Sequence, residues 1–487
     1  MTTTIDVLII GAGISGLGSA CHLKEQLPDK SFLIVEAHTT YGGTWHIHRY
    51  PGIRSDSDLF TFGYRFKPWT GAPIATGEEI MSYLGELIDE RGLADSIRYG
   101  RRVTSIEWDS VDAVWVASIE VVGAGETEVI RAGFIWNCAG YYRHDRGHLP
   151  DWPGLTEFGG RVIHPQHWPE DADFAEKDVV VIGSGATAAT LVPALVGKCK
   201  SLTMLQRTPT YFYSGSNSNP LADELRELEV EPQWIHEIVR KKILRDQRQQ
   251  TELALAYPKE AREALVGAVR EQLGDDVDVA RHFNPPYDPW RQRIAFVPDG
   301  DLFKGVRSGA VTLLTDTIEH FERDRIVLGS GQVVHADVGI AATGFELAPL
   351  GDVPVLVDGR HLDGSQELTW RGVMVTNLPN LVWVFGYFRA SWTLRVDLLG
   401  DFVCRLFRFM DGNGYRSVQP LPDFDLKPSA LADWSEGQEF APGYMKRGAH
   451  KLPKSGPGEE WSHTQDYWTE REHLPVIDLH RAPLLFK

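Results

Sequence analysis

The chain has 487 residues, enough for two to four domains each with its own core, and its 43% hydrophobic and 24% charged residues are ordinary for a soluble globular protein. A formal net charge of −18 argues against nucleic acid or an anionic membrane surface as the main partner. Four scattered cysteines (Cys21, Cys138, Cys199, Cys404) show no C-x-x-C and no metal-ligand spacing, which argues for buried thiols in a reducing compartment, the cytoplasm, and against a disulfide framework or a metal site.

The opening "MTTTIDVLII" lacks the basic start of a secretion signal and reads as a first strand, Ile5 to Ile10, ending in a Gly-rich turn from Gly11. Small and apolar residues at helical spacing follow from Ile14 to Leu23, then a second apolar strand, Ser31 to Ala37, which completes one β–α–β unit. "FIWNCAGYY" is a further strand closing at Ala139–Gly140. The β–α–β pattern returns at Asp178 to Leu195, with its next strand at Leu202 to Arg207. A charged, nearly Gly-free stretch then predicts a helical insertion, in which Leu265, Val269 and Leu273 fall on one face. Its basic cluster Arg240, Lys241, Lys242 and Arg245 is expected to be a solvated face. "VGIAATGFE" closes a strand at Thr343–Gly344, and a strand, a turn at Gly386 and a helix from about Ser391 follow. The last forty or so residues read as extended segments wrapping a body. No apolar run reaches the roughly eighteen residues of a transmembrane helix.

The two Gly-rich turns carry the functional signal, because each sits between a strand and a helix. In the first, Gly11 makes the tight turn, Gly13 lets a pyrophosphate approach the backbone, and Gly16 lets helix and strand pack closely. Free N–H groups at the helix start favour the negative charge of that pyrophosphate. Glu36, twenty residues after Gly16, is placed to accept hydrogen bonds from an adenosine ribose, so this site suits FAD or NAD. In the second, Gly183, Gly185 and Ala188 take the same three places, and the following strand ends in Gln206–Arg207–Thr208 with no acid. A guanidinium there can grip a 2′-phosphate that a carboxylate would repel, so this site suits NADPH. The expected fold is α/β, with two Rossmann-like dinucleotide-binding domains and a helical insertion. The expected protein is a flavoprotein that takes hydride from NADPH.

Between the two units lies "FGGRVIHPQHWP", in which Phe158, Gly160, His164, Trp168 and Pro169 match F-x-G-x-x-x-H-x-x-x-W-P, the fingerprint of type I Baeyer–Villiger monooxygenases. The stretches Gly42 to Trp69, Asp288 to Phe303, Gly386 to Leu398 and Ala441 to Arg447 resemble the ethionamide-activating subgroup of that family. The resemblance implies FAD-, NADPH- and O2-dependent conversion of ketones to esters or lactones through a C4a-peroxyflavin, with sulfoxidation as a side activity. It implies an FAD-binding domain over 1–141 and 346–487, a linker and NADP-binding domain over 142–208 and 290–345, and the helical insertion over 209–289. His164 and Trp168 would then pin the linker, with no catalytic part for His164.

The same resemblance implies catalytic roles for Arg293, the cation that keeps the peroxide anionic, and for Asp56, which orients it. It assigns Ser15, Thr44, Trp45, His46, Ile47 and Val103 to FAD. To NADP it assigns Arg54, Ser55, Asp56, Gly183, Ser184, Gly185, Ala186, Thr187, Ala188, Ala189, Arg207 and Thr208. One departure stands out: phenylacetone-type members carry Lys just before the catalytic arginine, where this chain has Gln292. That leaves Arg207 with most of the preference for NADPH. The competing reading is an N- or S-oxygenating flavin monooxygenase, against which Trp168–Pro169 and Arg293 speak. A flavin disulfide reductase needs a redox cysteine pair that the chain lacks.

Overall fold

The computed structural model describes residues 3–424, 431–434 and 442–487. Two parallel-cored sheets organise it. In the first, β1 (Thr3–Ile10), β2 (Phe32–Val35) and β3 (Ile97–Arg98) lie side by side and parallel. Beyond β1 come β6 (Glu126–Asn137), β5 (Val114–Val121) and β4 (Arg101–Asp109). β6 forks: its start pairs antiparallel with β5, while Ile135 to Asn137 pair parallel with the strand Leu381–Trp383. The chain thus returns from far along the sequence to finish the sheet that β1 began.

The alternation in β5, buried at every second residue, marks a sheet with apolar residues on one face. β1 instead ends in four consecutive buried residues, as a central parallel strand covered on both sides must. One covering layer is made by helices Ile14–Gln26 and Trp392–Asn413, which His22 Nε2 and Asp397 Oδ1 tie together at 3.0 Å.

The second sheet is wholly parallel. β7 (Arg161–Ile163) forms one edge, next to strand Val338–Ala341, then β8 (Asp178–Ile182), β9 (Ser201–Gln206) and strand Thr312–Thr315. The fingerprint segment is therefore more than a connection, since its Arg161 to Ile163 build an edge strand. Phe158 is buried edge-on against Phe321 at 5.3 Å. His164 Nε2 donates to the Gly344 carbonyl at 3.2 Å, and its Nδ1 accepts from Gln166 N. A histidine so occupied holds backbone to backbone.

The helical insertion comprises Pro220–Glu227, Pro232–Ala256, Pro258–Leu273 and Val279–His282. Three of these start on proline, which suits the first turn because its missing N–H has no helical partner there. Val269 and Leu273 are buried in the second sheet's core, with Leu265 only half-buried. Helix Pro232–Ala256 packs on the first sheet's side, and there one expectation is corrected. Arg240 is not solvated: it is buried, and its Nη1 donates to the carbonyls of Phe60 (2.9 Å), Thr61 (3.0 Å) and Gly63 (2.9 Å). Its Nη2 reaches Asp397 at 3.4 Å. Lys241, Lys242 and Arg245 are exposed as expected.

Toward the C-terminus, short helices alternate with extended chain, and strand Leu484–Phe486 pairs with Val418–Pro420. Of the Ala441–Arg447 motif, Ala441 lies outside the described residues. The four cysteines are free thiols. Among the described residues no helix is long and apolar enough to cross a membrane.

Candidate active site

The two Gly-rich turns adopt one geometry twice. Gly11 has φ +101° and Gly183 φ +143°, values that exclude most side chains. A Cβ at Gly11 would stand 2.7 Å from the Cys138 carbonyl oxygen, and one at Gly183 would stand 2.3 Å from that of Ala342. So these glycines first let each turn cross the end of a neighbouring strand. At Gly16 a Cβ would lie 1.9 Å from the Gly11 carbonyl oxygen, whereas Ala188 is accommodated and fully buried. Gly185 has nothing within 4 Å of its Cβ direction, leaving open space over the turn. Neither helix Ile14–Gln26 nor helix Ala186–Leu195 has a side-chain cap or an acid in its first turn, so their N–H groups stay available for an anion.

A cavity of about 700 Å³ runs along the first turn and on between the sheets. Gly11, Gly13, Ser15, Glu36, Thr44, Trp45, Ile47 and Val103 line it, as do Arg54, Ser55, Asp56, Ala186, Thr187 and Arg293. The Glu36 carboxylate is fixed by two backbone donors, Ala12 N and His38 N, both at 2.8 Å. Ser15 Oγ accepts from Trp392 Nε1 at 2.8 Å, and Thr44 Oγ1 bonds the Tyr142 hydroxyl at 2.6 Å. Elongated, with an anion-ready helix start along its side and a fixed carboxylate at one end, the cavity fits a flavin dinucleotide.

At the other end Arg293 Nη1 stands 3.1 Å from Asp56 Oδ2. The guanidinium is 44% accessible, and the space it faces is this cavity. The neighbouring Asp56 charge raises its proton affinity further. Arg54, also on the cavity wall, makes a forked pair with Asp301 at 2.5 and 3.3 Å. Tyr50, buried beside it, packs into the second sheet's core with Ala188, Ala189 and Leu191. Its loop, after Gly43, presses Gly52 on helix Ala186–Leu195, where a Cβ would meet Ala194 Cβ at 2.7 Å.

Several expected residues stand off the cavity wall. His46 packs on Arg49 instead, whose Nε donates to the His46 carbonyl at 3.0 Å. Gly16, Ala188 and Ala189 act from within their helices, and Gly183, Ser184 and Gly185 form the second turn. Ser184 Oγ donates to the Thr208 carbonyl at 2.9 Å, holding Arg207 and Thr208 beside that turn. Arg207 is exposed.

Two tyrosines went unassigned in sequence. Tyr141 lines the cavity, stacks on Trp392 at 5.1 Å and has the ring of Tyr444 at 6.2 Å. Burial pushes the proton affinity of both phenols up, and both feel the charge of Arg293. Their signal was present in "AGYY" and "PGYMKR", yet nothing in either motif says that the two meet.

The profile of NAD(P)-binding Rossmann-like domains matches residues 9–71, and that of flavin-binding monooxygenase-like proteins matches residues 73–220. The chain is 42% identical over 470 residues to the FAD-containing monooxygenase EthA of Mycolicibacterium smegmatis, covering 96% of this chain and 94% of that protein. EthA of Mycobacterium tuberculosis is 41% identical over 472 residues, with the same shares covered. Among solved structures, an oxidized steroid monooxygenase bound to NADP superposes with a TM-score of 0.77 at 22% identity, covering 99% of both chains. An open form of cyclohexanone monooxygenase does so at 0.77 and 20%, covering all of both. At those identities the likeness is one of fold. The relatives, with the cavity along the first Gly turn and the second turn beside it, place this chain in the family of FAD-containing monooxygenases.

Proposed function

We propose that the protein is an NADPH- and O2-using Baeyer–Villiger monooxygenase that converts ketones to esters or lactones and oxidises sulfides as a side activity. The observation that carries this is the Arg293–Asp56 pair, 3.1 Å apart, at the end of the cavity where both sheets contribute lining residues. FAD, held along Gly11, Gly13, Glu36 and Thr44, would carry the electrons of NADPH to O2, one atom of which is the oxygen to be transferred. Arg293 contributes a fixed positive charge that favours an anionic oxygen nucleophile and the oxyanion made from a carbonyl. An arginine suits the task because it stays protonated at any working pH. Asp56 holds that guanidinium in place while leaving much of it open to the cavity. Gly183, Gly185 and the start of helix Ala186–Leu195 would take the pyrophosphate of NADPH, with Arg207 and Thr208 at its adenosine end. The names of the two superposed structures, one bound to NADP, support the same reading.

Purified FAD-loaded protein, incubated with NADPH, ¹⁸O₂ and a panel of aliphatic and aryl ketones plus a thioether, tests this through product mass. One labelled oxygen in an ester is expected. Label found only in a sulfoxide would point to an S-oxygenase instead. Arg293→Ala should keep NADPH oxidation largely intact and abolish ester formation; an unchanged ester yield would sink the assignment. Arg207→Ala should raise the KM for NADPH far more than that for NADH.

A further inference from the structure

The second dinucleotide site has a cation beyond those its sequence motif supplies. Arg207 follows β9 directly, at the C-terminal edge of the second sheet. Strand Val338–Ala341, two places across the same sheet with β8 between, ends toward Gly344 at that edge. Over this point lies helix Gly443–Gly448, contributed by the distant C-terminal segment, and its Arg447 reaches back to the sheet. Arg447 Nη2 comes within 3.4 Å of the Phe345 carbonyl oxygen and would be 3.7 Å from a Cβ on Gly344.

Neither arginine forms an ion pair among the described residues. The nearest carboxylate felt by Arg447, Glu346, is engaged by Arg146 Nε at 2.8 Å. Arg447 lies exposed at this edge, and partial desolvation together with the like charge of Arg207 lowers its proton affinity. Arg207 and the Phe345 carbonyl that Arg447 reaches stand at the same edge of one sheet, two strands apart, so a bound dianion there would relieve the repulsion between the two cations. Gln292, uncharged, adds nothing to this balance.

We propose that Arg447 is the second arginine of the coenzyme's 2′-phosphate site, sharing that phosphate with Arg207. The inference rests on the reading of this unit as an NADPH site. It makes a residue of the C-terminal segment a determinant of coenzyme choice, in a place no dinucleotide motif would indicate.

Calorimetric titration of the FAD-loaded full-length protein with 2′,5′-ADP and with 5′-AMP tests it, because the two ligands differ only in that phosphate. Wild type should bind 2′,5′-ADP more tightly. Arg447→Gln should weaken 2′,5′-ADP by about tenfold or more while 5′-AMP stays within about twofold, as expected for a charge-assisted contact. Arg447→Lys, keeping the charge, should recover part of the loss at low salt; a purely structural role would gain nothing from it. Equal weakening of both ligands would mean that Arg447 touches the adenosine or the fold and not the phosphate, and no weakening would remove it altogether. Should wild type fail to distinguish the two ligands, the NADPH reading falls and takes this inference with it. If wild type prefers 2′,5′-ADP and only Arg207→Gln erases the preference, the Arg447 assignment alone is wrong.

Discussion

Glycine at two positions of one motif type does two different jobs, and substitution separates them. Gly16 touches backbone on its only open side, so the 1.9 Å approach of an added Cβ to the Gly11 carbonyl cannot be relieved by a rotamer change. Gly16→Ala should cost at least about 1–3 kcal/mol as an overpacked contact and release FAD, read as the flavin absorbance that copurifies and as Tm. Gly185 has a φ of −78° that alanine adopts readily, with open space around it. Gly185→Ala should leave Tm within about a degree or two while weakening NADP, since surface changes away from packed features move stability by about 0.5 kcal/mol or less. A Gly16→Ala protein with full flavin content would show that the turn can relax in a way the close approach denies. Both roles could be read from spacing, because they depend on backbone contacts made within one β–α–β unit.

The helix Pro232–Ala256 shows where element-level reading needs more than composition. Four basic residues close together suggest a solvated face, yet Ile235, His236, Val239, Arg240 and Leu244 form one buried stripe at helical spacing. Arg240 lies in phase with His236 and Leu244, and that periodicity was the available signal. Its partners were hidden, since three carbonyls at the end of the short helix Leu59–Phe62 lack helical donors and belong to a distant part of the chain. Arg240→Met should destabilise by about 2 kcal/mol or more, because it leaves buried acceptors unpaired. Lys241→Met, which loses only the exposed pair with Glu237, should change stability by less than about 1 kcal/mol. Urea denaturation of the two variants checks the contrast; equal small effects would mean that Arg240 is solvated after all in solution.

At the scale of the whole molecule, histidines gather where the two sheets meet. His48 comes from the loop after Gly43, His144 from the end of the first sheet, and His164 and His167 from the edge of the second. Burial, helped by the neighbouring histidines, lowers His48 from 6.5 to about 4, and burial with His38 nearby lowers His144 to about 4. Between pH 6.5 and 4 the unfolded chain therefore binds protons that the folded one refuses. Stability should fall as the pH drops through that window. His22 has the opposite sign: its bonds to Asp397 and Asp401 raise its proton affinity despite burial, so its contribution is present at low pH and lost as the pH rises. His48→Phe should flatten the acid limb of a Tm–pH curve. An unchanged slope would place the titrating groups elsewhere.

The two dinucleotide turns, the acid of the first and the arginine after the second, together with the helical insertion, were legible in one dimension. Each depends on φ angles, N–H groups or periodicity within a few dozen residues. The Arg293–Asp56 pair came from a family resemblance, and its 3.1 Å separation exists only in three dimensions. So do the Tyr141–Tyr444 contact, the burial of Arg240 and the reach of Arg447 to the Phe345 carbonyl. The reason is common to all four. A charged or phenolic side chain takes its role from the partners that long-range packing brings to it, and nothing in its own neighbourhood of the chain encodes which partners those will be.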